Sequence, residues 1–259
     1  MTDLAPDAAT QIATIPRNIV TDAAVAPVVV VQFPDVWGRN VSPFGLKLET
    51  WLRLAEIPYT VEPSTDLRKA PKGKLPYIRD EGRLVGDTSL IIDYLKASRG
   101  IDPDAGLGPR ERAEALMLQR LFEDHFYFIL VYSRWIDDAG WKTLHPAFFG
   151  RVPFPAGRLA AGHFRRRVGR MLQLQGISRH RADEIYAMAR ADLAAVADYL
   201  GDRPFLMGEQ LTTVDAVAYA FLATVIYLPF ETELKRIALE FPTLVTYCEA
   251  MEQGLQLDV

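Results

Sequence analysis

The spacing of hydrophobic residues changes character near residue 100 of this chain. Before that point, short apolar or alternating runs predict four strands, at residues 28–33, 59–62, 75–78 and 83–85. The first run is unbroken and β-branched, which is typical of a strand buried on both faces of a parallel or mixed sheet. Helical spacing predicts one helix between the first two strands, residues 42–55, and another after the fourth, residues 90–97. The predicted order is β-α-β-β-β-α.

Beyond residue 110 only helical spacing recurs. Apolar residues repeat at intervals of three and four from Leu118 to Ile129 and from Ile185 to Leu200. Thr212 and Asp215 form a Thr-x-x-Asp cap ahead of another apolar helix. Residues 100–109 contain two prolines and three glycines, which indicates a linker. The predicted organisation is a mobile tail (1–27), an α/β domain (28–99), the linker (100–109) and an all-helical domain (110–259).

Composition narrows the classes of protein that the chain can belong to. The formal net charge of −4 gives no reason to expect nucleic acid as a partner. The longest nearly apolar run, residues 216–230, is shorter than the ~20 residues of a membrane span and predicts a buried core helix. Residues 1–27 lack the features of a signal peptide, and a single cysteine, Cys248, suits a reducing compartment. We therefore expect a cytoplasmic protein without a membrane span.

Candidate chemistry concentrates at two predicted helix N-termini of the first domain. Ser42 precedes Pro43 at the start of the first helix, where free N–H groups and the helix dipole favour an anion such as a thiolate. Asp87 and Thr88 open the second helix and offer N–H groups and a hydroxyl to a ligand carboxylate. Each position also has a plain structural interpretation, because Ser, Thr and Asp are common helix caps.

Two further features flank these helix starts. Pro76 stands at the entrance to the third strand, where it marks either an ordinary edge proline or a cis peptide that leaves the polar backbone groups of Leu75 free for an extended ligand. The preceding loop is basic and can attract a second carboxylate through Arg68, Lys69, Lys72 and Lys74. The four histidines and one cysteine show no metal-ligand spacing, so we expect no metal.

Short segments of the chain, taken in order, resemble the glutathione transferase superfamily. They are Ser42-Pro43-Phe44-Gly45, Lys74-Leu75-Pro76-Tyr77-Ile78, Asp87-Thr88 ahead of Ile91-Ile92-Asp93-Tyr94-Leu95, and Thr212-x-x-Asp215. Within that superfamily the chain looks most like the failed-axon-connections and metaxin branch. The segments that show this closer likeness are residues 42–50, 69–76, 122–127 with 134–135, and 205–208. The resemblance as a whole covers roughly residues 28–255.

The resemblance implies a thioredoxin-like front domain, a helical rear domain and a glutathione site. In that superfamily Leu75 would hold the cysteine backbone of glutathione, Pro76 would be cis, Asp87 and Thr88 would take the γ-glutamyl end, and Ser42 would meet the thiol. Lys74 belongs to the same expected glutathione site. Phe44, His125, Tyr127 and Arg134 are candidates for the electrophile site, although His125 falls on an apolar stripe, where a histidine is usually a core residue. A homodimer is also implied.

Three functions are compatible with this pattern. The first is a glutathione transferase that adds glutathione to, or exchanges it on, a small hydrophobic electrophile. The second is a binding or assembly protein that keeps the fold without activity, because the metaxin branch includes protein-import components. The third, a glutathione-dependent reductase, is disfavoured because Gly45 stands where relatives often carry cysteine and Ser42 is not a thiol.

Overall fold

The structure is a computed structural model that describes residues 26–150 and 152–255 of the chain. Nearly all of the predicted mobile tail, residues 1–27, lies outside the described residues. The described part begins with a four-stranded mixed sheet and continues as helices. The predicted order β-α-β-β-β-α followed by an all-helical region is confirmed.

The sheet is built from β1 (Val28–Gln32), β2 (Tyr59–Pro63), β3 (Tyr77–Asp80) and β4 (Arg83–Gly86), in the order β2-β1-β3-β4. β1 pairs with β2 in parallel and with β3 antiparallel, and β3 pairs with β4 antiparallel. The central place of β1 explains its unbroken apolar sequence, because both of its faces are largely buried. Val28 and Val30 pack against helices, and Val31 packs with Ala70 and Leu75 of the loop before β3. Glu81 and Gly82 both have positive φ and form the tight turn between β3 and β4.

Two helices belong to the front half, and local sequence explains where they begin and end. α1 (Pro43–Leu54) has Ser42 as its N-cap and a proline at its first position, a favoured arrangement. It ends four residues before Pro58. α2 (Thr88–Arg99) is capped by Asp87 and ends at Gly100, which adopts the left-handed conformation that glycine tolerates best.

The rear half contains eight α-helices among the described residues. They are α3 (Pro109–Arg120), α4 (Tyr127–Trp135), α5 (Asp138–Phe149), α6 (Ala156–Gln175), α7 (Ala182–Leu200), α8 (Thr213–Ile226), α9 (Glu233–Ala238) and α10 (Pro242–Gly254). A π-helical turn, Leu121–Phe126, joins α3 to α4, so that these segments form one long helix. The predicted linker, residues 100–109, lies between α2 and α3, and its role as a domain boundary stays a prediction.

Helix α8 is the centre of the rear half. Its residues from Val214 to Ile226 are all buried, as the apolar run predicts for a core helix. Asp215 holds its start by accepting hydrogen bonds from Thr212, from the backbone N–H of Leu206 and from the Tyr247 hydroxyl. Among the described residues, no helix combines the length and apolar character needed to cross a membrane.

The two halves share an extensive contact through α1. One side of α1 packs with the sheet in a cluster that includes Leu48, Leu52 and Ile78, and Ala216 of α8 joins the same cluster. Trp51 is fully buried and donates its indole N–H to the hydroxyl of Thr213 at 3.1 Å. α1 is therefore enclosed between the sheet and α8, which explains why even Lys47 and Glu49 on this helix are buried.

Candidate functional site

The strand register brings the predicted site residues to one end of the sheet. Val31 pairs with Tyr77, and Tyr77 pairs with Gly86, so these residues form one row across β1, β3 and β4. Pro76 and Asp87 come one position beyond that row. The same end of β1 leads into α1, because the helix that connects two parallel strands starts where the first strand finishes. Leu75-Pro76 and Asp87-Thr88 therefore lie at the end of the sheet from which the segment carrying Ser42 departs.

Ser42 is held at the tip of α1 by a short network. Its backbone N–H donates to Asn40 Oδ1 at 2.8 Å, and its Oγ accepts from the Gly45 N–H at 3.4 Å. Asn40 is fully buried and donates its Nδ2 to the carbonyl of Phe33, which directly follows β1. Because the Ser42 oxygen is used as an acceptor, its proton is available to a ligand atom in front of the helix.

Asn40 was not identified by sequence reasoning, although an asparagine two residues before a helix cap is a common turn signal. Its side chain fills the space in front of Gly45. A Cβ added at Gly45 would lie 2.7 Å from Asn40 Nδ2, which is closer than such atoms approach in proteins. Position 45 is therefore closed to any side chain while Asn40 keeps its place.

The remaining predicted glutathione-site residues occupy the neighbouring strand and helix ends. The Leu75–Pro76 peptide bond is cis, as predicted, and both residues are buried, whereas Lys74 is exposed beside them. Asp87 has a φ of 82°, a conformation that non-glycine residues rarely adopt and that is found more often at functional sites. Its carboxylate accepts from the N–H groups of Ser89 and Leu90 and so caps α2.

A buried lysine beneath Thr88 was also missed by sequence reasoning. Lys47 Nζ, with no exposed surface, lies 3.1 Å from Thr88 Oγ1, 3.1 Å from Ser89 Oγ and 2.5 Å from Glu123 Oε1. Gln119 donates to both Ser89 Oγ and Glu123 Oε2. Burial lowers the pKa of Lys47, and the carboxylate of Glu123 opposes that shift. No sequence signal marks Lys47, because its partners are 41 to 76 positions away.

Two of the predicted electrophile-site residues, Phe44 and Tyr127, are in contact. Their ring centroids are 5.0 Å apart, and both rings pack against Phe221 of α8. Burial raises the pKa of the Tyr127 phenol, which therefore stays protonated near neutral pH. Because Phe44 lies two positions after Ser42, this aromatic group adjoins the tip of α1.

His125 does not lie in the helical core. Its side chain is 43% exposed, and Nδ1 lies 2.7 Å from Asp192 Oδ2 of α7. The expectation of a core histidine is wrong because His125 falls within the π-helical turn, where the spacing of three and four residues no longer describes one face. The structure thus pairs His125 with Asp192 and does not bring it into the aromatic group of Phe44 and Tyr127.

Arg134 is buried and forms hydrogen bonds with the backbone. Its guanidinium donates to the carbonyl of Val41 at 2.7 Å and to the carbonyl of Thr224 at 2.6 Å, and it lies over the ring of Phe230. Burial lowers the pKa of Arg134 to about 9. Val41 directly precedes Ser42, so Arg134 fastens the segment that carries Ser42 to α8 behind it.

Arg39 makes a second attachment of the same segment. Its guanidinium donates to the hydroxyl of Tyr219 in α8 and to Glu252 in α10, both at 2.8 Å. It also lies 4.8 Å from the centroid of the Tyr227 ring. Residues 39–42 are therefore positioned by the rear half of the molecule, a relation that no local sequence pattern indicates.

Cys248 does not belong to the candidate site. It is completely buried in the rear core, and burial raises the pKa of its thiol. A buried thiol with a raised pKa is a poor nucleophile. Among the described residues, no group of three or more His, Cys, Asp or Glu side chains is arranged to hold a metal ion.

Comparison with known families identifies the class of protein. The profile of the glutathione S-transferase N-terminal domain matches residues 43–140, and that of the glutathione S-transferase C-terminal domain matches residues 189–251. The chain is 33% identical to the isoprene-epoxide–glutathione S-transferase of Rhodococcus sp. (strain AD45), over 87% of this chain and 98% of the relative. The chain therefore belongs to the glutathione S-transferase superfamily.

Other relatives place it near a particular branch of that superfamily. It is 30% identical to Failed axon connections of Drosophila melanogaster over 73% of this chain and 47% of that protein. It is 26% identical to Metaxin-1 of Sus scrofa over 76% of this chain and 65% of that protein. The predicted resemblance to the failed-axon-connections and metaxin branch is confirmed.

The fold has counterparts among solved structures. The glutathione S-transferase of Ceriporiopsis subvermispora, solved in complex with glutathione, matches 90% of this chain and 99% of its own, with a TM-score of 0.62 and 18% identity. At 18% sequence identity, the match shows that the two proteins share a fold and shows nothing about activity. The predicted thioredoxin-like front domain followed by a helical rear domain is confirmed.

Proposed function

We propose that this protein is a glutathione transferase that conjugates glutathione to, or exchanges it on, a small hydrophobic electrophile. One observation carries the proposal. The hydroxyl of Ser42, the cis Leu75–Pro76 segment and the Asp87–Thr88 helix start occur at the same end of the sheet, in a chain 33% identical to a glutathione S-transferase.

The bound tripeptide would use each part of this end of the sheet. The backbone of Leu75 would pair with the cysteinyl residue of glutathione. Thr88 and the N-terminus of α2 would take the γ-glutamyl carboxylate, since helix N-termini favour anions. Lys74, exposed beside Leu75, would attract the glycyl carboxylate.

Ser42 would stabilise the reactive form of glutathione, the thiolate. Lowering the pKa of a thiol from about 8.5 to about 6.5 requires roughly 2.7 kcal/mol in favour of the thiolate. A hydrogen bond to a charged group contributes about 1.5–3 kcal/mol, and a helix N-terminus about 0.3–1 kcal/mol. These two contributions together are sufficient. Ser42 therefore acts as a hydrogen-bond donor and needs no base.

The reaction is a nucleophilic attack by sulfur. With an epoxide, a carbon–sulfur bond forms while one carbon–oxygen bond of the ring breaks, and the resulting alkoxide takes a proton from water. With an aryl halide, the halide leaves. The aromatic group of Phe44, Tyr127 and Phe221 beside the helix tip would bind the apolar part of the electrophile. A small alkene epoxide is the first electrophile to test, because the Rhodococcus relative is named for one.

The experiment consists of two measurements. Calorimetry with glutathione measures binding, and mass spectrometry of a mixture with glutathione and a small alkene epoxide measures conjugate formation above the uncatalysed rate. We expect micromolar to millimolar affinity and a conjugate whose mass is the sum of the two reactants. Binding without conjugation of any electrophile in a panel of epoxides, aryl halides and enones would contradict transferase activity.

The second candidate is a non-catalytic binding or assembly protein. It is favoured by the similarity to Failed axon connections and Metaxin-1 over about three quarters of this chain. Failure to bind glutathione at millimolar concentration would support this alternative. We also propose a homodimer, which sedimentation analysis of the purified protein would detect.

A further inference from the structure

Lys47 forms an ion pair and hydrogen bonds beneath the candidate γ-glutamyl site. Its ammonium group carries three protons, and the structure provides three acceptors: Thr88 Oγ1, Ser89 Oγ and Glu123 Oε1. The side chain of Lys47 is fully buried, and that of Glu123 is 8% exposed. The charge of Lys47 is therefore retained inside the protein by one carboxylate and directed at two hydroxyl oxygens.

This arrangement fixes the role of the Thr88 hydroxyl. A hydroxyl that accepts a hydrogen bond from an ammonium group cannot point its own proton at that group. The Thr88 proton must therefore be donated elsewhere. The backbone N–H groups at the N-terminus of α2 are donors, and Oδ1 of the neighbouring Asp87 already accepts from the N–H groups of Ser89 and Leu90. The Thr88 proton is therefore available to an acceptor on a ligand. Accepting from a cation also polarises the O–H bond and makes it a stronger donor.

Ser89 differs from Thr88 in its surroundings. Its Oγ accepts from Lys47 at 3.1 Å and from Gln119 Nε2 at 2.9 Å, so both of its lone pairs are occupied by donors of the protein. Gln119 also donates to Glu123 and completes the network. Thr88 Oγ1, in contrast, accepts from Lys47 without a second side-chain donor among the described residues, so the charge of Lys47 acts on it undivided.

We propose that Lys47 is a positioning residue that makes Thr88 a donor for an anionic group and so gives the site its preference for ligands that carry a carboxylate at the γ-glutamyl end. This inference rests on the proposed function, because it assigns the glutamyl end of glutathione to Thr88. Lys47 acts through Thr88 and does not itself contact the ligand.

The test compares two ligands that differ in one group. Glutathione and γ-aminobutyryl-cysteinylglycine are the same molecule except that the second lacks the α-carboxylate of the glutamyl residue. We expect the wild-type protein to bind glutathione at least about tenfold more tightly than this analogue, the effect of one charge-assisted hydrogen bond. In Lys47→Met the ratio of the two dissociation constants should fall to about one to three, mainly through weaker binding of glutathione.

Three variants separate positioning from general loss of structure. Thr88→Val should lower the same ratio, because it removes the hydroxyl through which Lys47 acts. Lys96→Met removes another lysine with two carboxylate partners, Asp102 and Asp104, and should leave the ratio unchanged. If Lys47→Met does not fold, Lys47→Met with Glu123→Gln removes both charges of the buried pair and provides the same comparison.

The outcomes are distinguishable. If wild type prefers glutathione and Lys47→Met keeps the full preference, the inference is overturned while the proposed function stands. If wild type binds both ligands equally, Thr88 does not receive the carboxylate and the inference is also overturned. Absence of glutathione binding by wild type would overturn the proposed function and the inference together.

Discussion

Ser42 shows how one hydroxyl group can serve both a helix and a ligand. Its oxygen accepts from the Gly45 N–H at 3.4 Å, which caps α1, and its proton remains free for an acceptor in front of the helix. The cap uses a lone pair of the oxygen and the ligand would use the proton, so the two roles do not compete. Removing the hydroxyl should therefore lower the stability of the protein and weaken the stabilisation of the glutathione thiolate.

We expect Ser42→Ala to raise the pKa of the bound glutathione thiol by about one to two units, because it removes a charge-assisted hydrogen bond. The thiolate absorbance of the complex, titrated against pH, measures this value. At pH 7 the variant should conjugate more slowly, and raising the pH should restore part of the rate. An unchanged titration curve would remove Ser42 from the mechanism.

Thr232→Ala is the matched control for Ser42→Ala. Thr232 caps α9 and accepts from the Lys235 N–H at 3.4 Å, the same geometry far along the chain from the site. Both substitutions should lower the free energy of unfolding by about 1 kcal/mol. Only Ser42→Ala should change the pKa of the thiol.

The close packing around Gly45 leads to a prediction about stability. A Cβ at this position would meet three side-chain atoms of buried Asn40 at 2.7 to 2.9 Å. Gly45→Ala should lower the free energy of unfolding by about 1–3 kcal/mol, as overpacking does. The cost should largely vanish in an Asn40→Ala background, since those atoms are then absent. Denaturant unfolding of both single variants and the double variant gives the coupling, and strict additivity would show that Asn40 moves aside freely.

Site residues that belong to local motifs could be predicted from sequence, whereas others could not. Ser42 and Asp87 mark helix starts, and helix capping depends on residues within one turn. Lys47 occupies a helix position that sequence alone would assign to solvent, and its role depends on Glu123 in another part of the fold. Burial of a lysine is decided by what packs over it, which neighbouring residues do not encode.

At the scale of elements, the segment between β1 and α1 is held in place by hydrogen bonds to helices of the rear half. Arg134 of α4 connects the carbonyl of Val41 to the carbonyl of Thr224 in α8, and Arg39 reaches Tyr219 and Glu252. Regular structure does not satisfy the carbonyl of Val41, so a buried donor must. The tip of α1 therefore keeps its place only while α4 and α8 keep theirs.

We expect Arg134→Met to lower the free energy of unfolding by about 2–5 kcal/mol, because two buried carbonyls lose their donor. It should also weaken glutathione binding, since residues 39–42 lose an anchor. Arg165→Met is the control: Arg165 donates to the carbonyls of Trp135 and Ile136 at a more exposed place, and its loss leaves the hydrogen bonds of residues 39–42 intact. This control should leave affinity unchanged, and an equal loss in both variants would indicate a nonspecific effect.

The long helix α3–π–α4 shows where element prediction fails. The apolar stripe from Leu118 to Ile129 predicts the buried residues Phe122 and Phe126 correctly. The same count places His125 with them, yet the π-helical turn presents it to Asp192. A wider turn differs from an α-helix by a small rearrangement of hydrogen bonds, and tertiary packing selects between them.

At the scale of the whole molecule, α1 connects the two halves through buried contacts. Trp51 reaches Thr213, Lys47 reaches Glu123, and the sheet and α8 share one apolar cluster. Separating the halves would expose a helix whose surface is buried almost all round. The apolar area lost from contact opposes independent opening of either half.

We therefore expect the front and rear halves to unfold in one cooperative transition. Native-state hydrogen exchange measured with increasing denaturant should give the amides of β1 and of α8 the same free energy of opening and the same dependence on denaturant. Exchange of β1 amides through an opening several kcal/mol below that of α8 would show that the front half opens alone.

The strands, the bounds of α1 and α2, the start of α8, the helix caps and the end of the sheet at which chemistry is expected all follow from the sequence alone. These features depend on hydrophobic periodicity and on polar groups within one helical turn, and both can be read along the chain. Tertiary structure decided that Lys47 is buried against Thr88, that Arg39 and Arg134 fix the tip of α1, and that His125 leaves the core. Each of those outcomes depends on contacts between residues tens to hundreds of positions apart, whose meeting is set by the packing of whole elements.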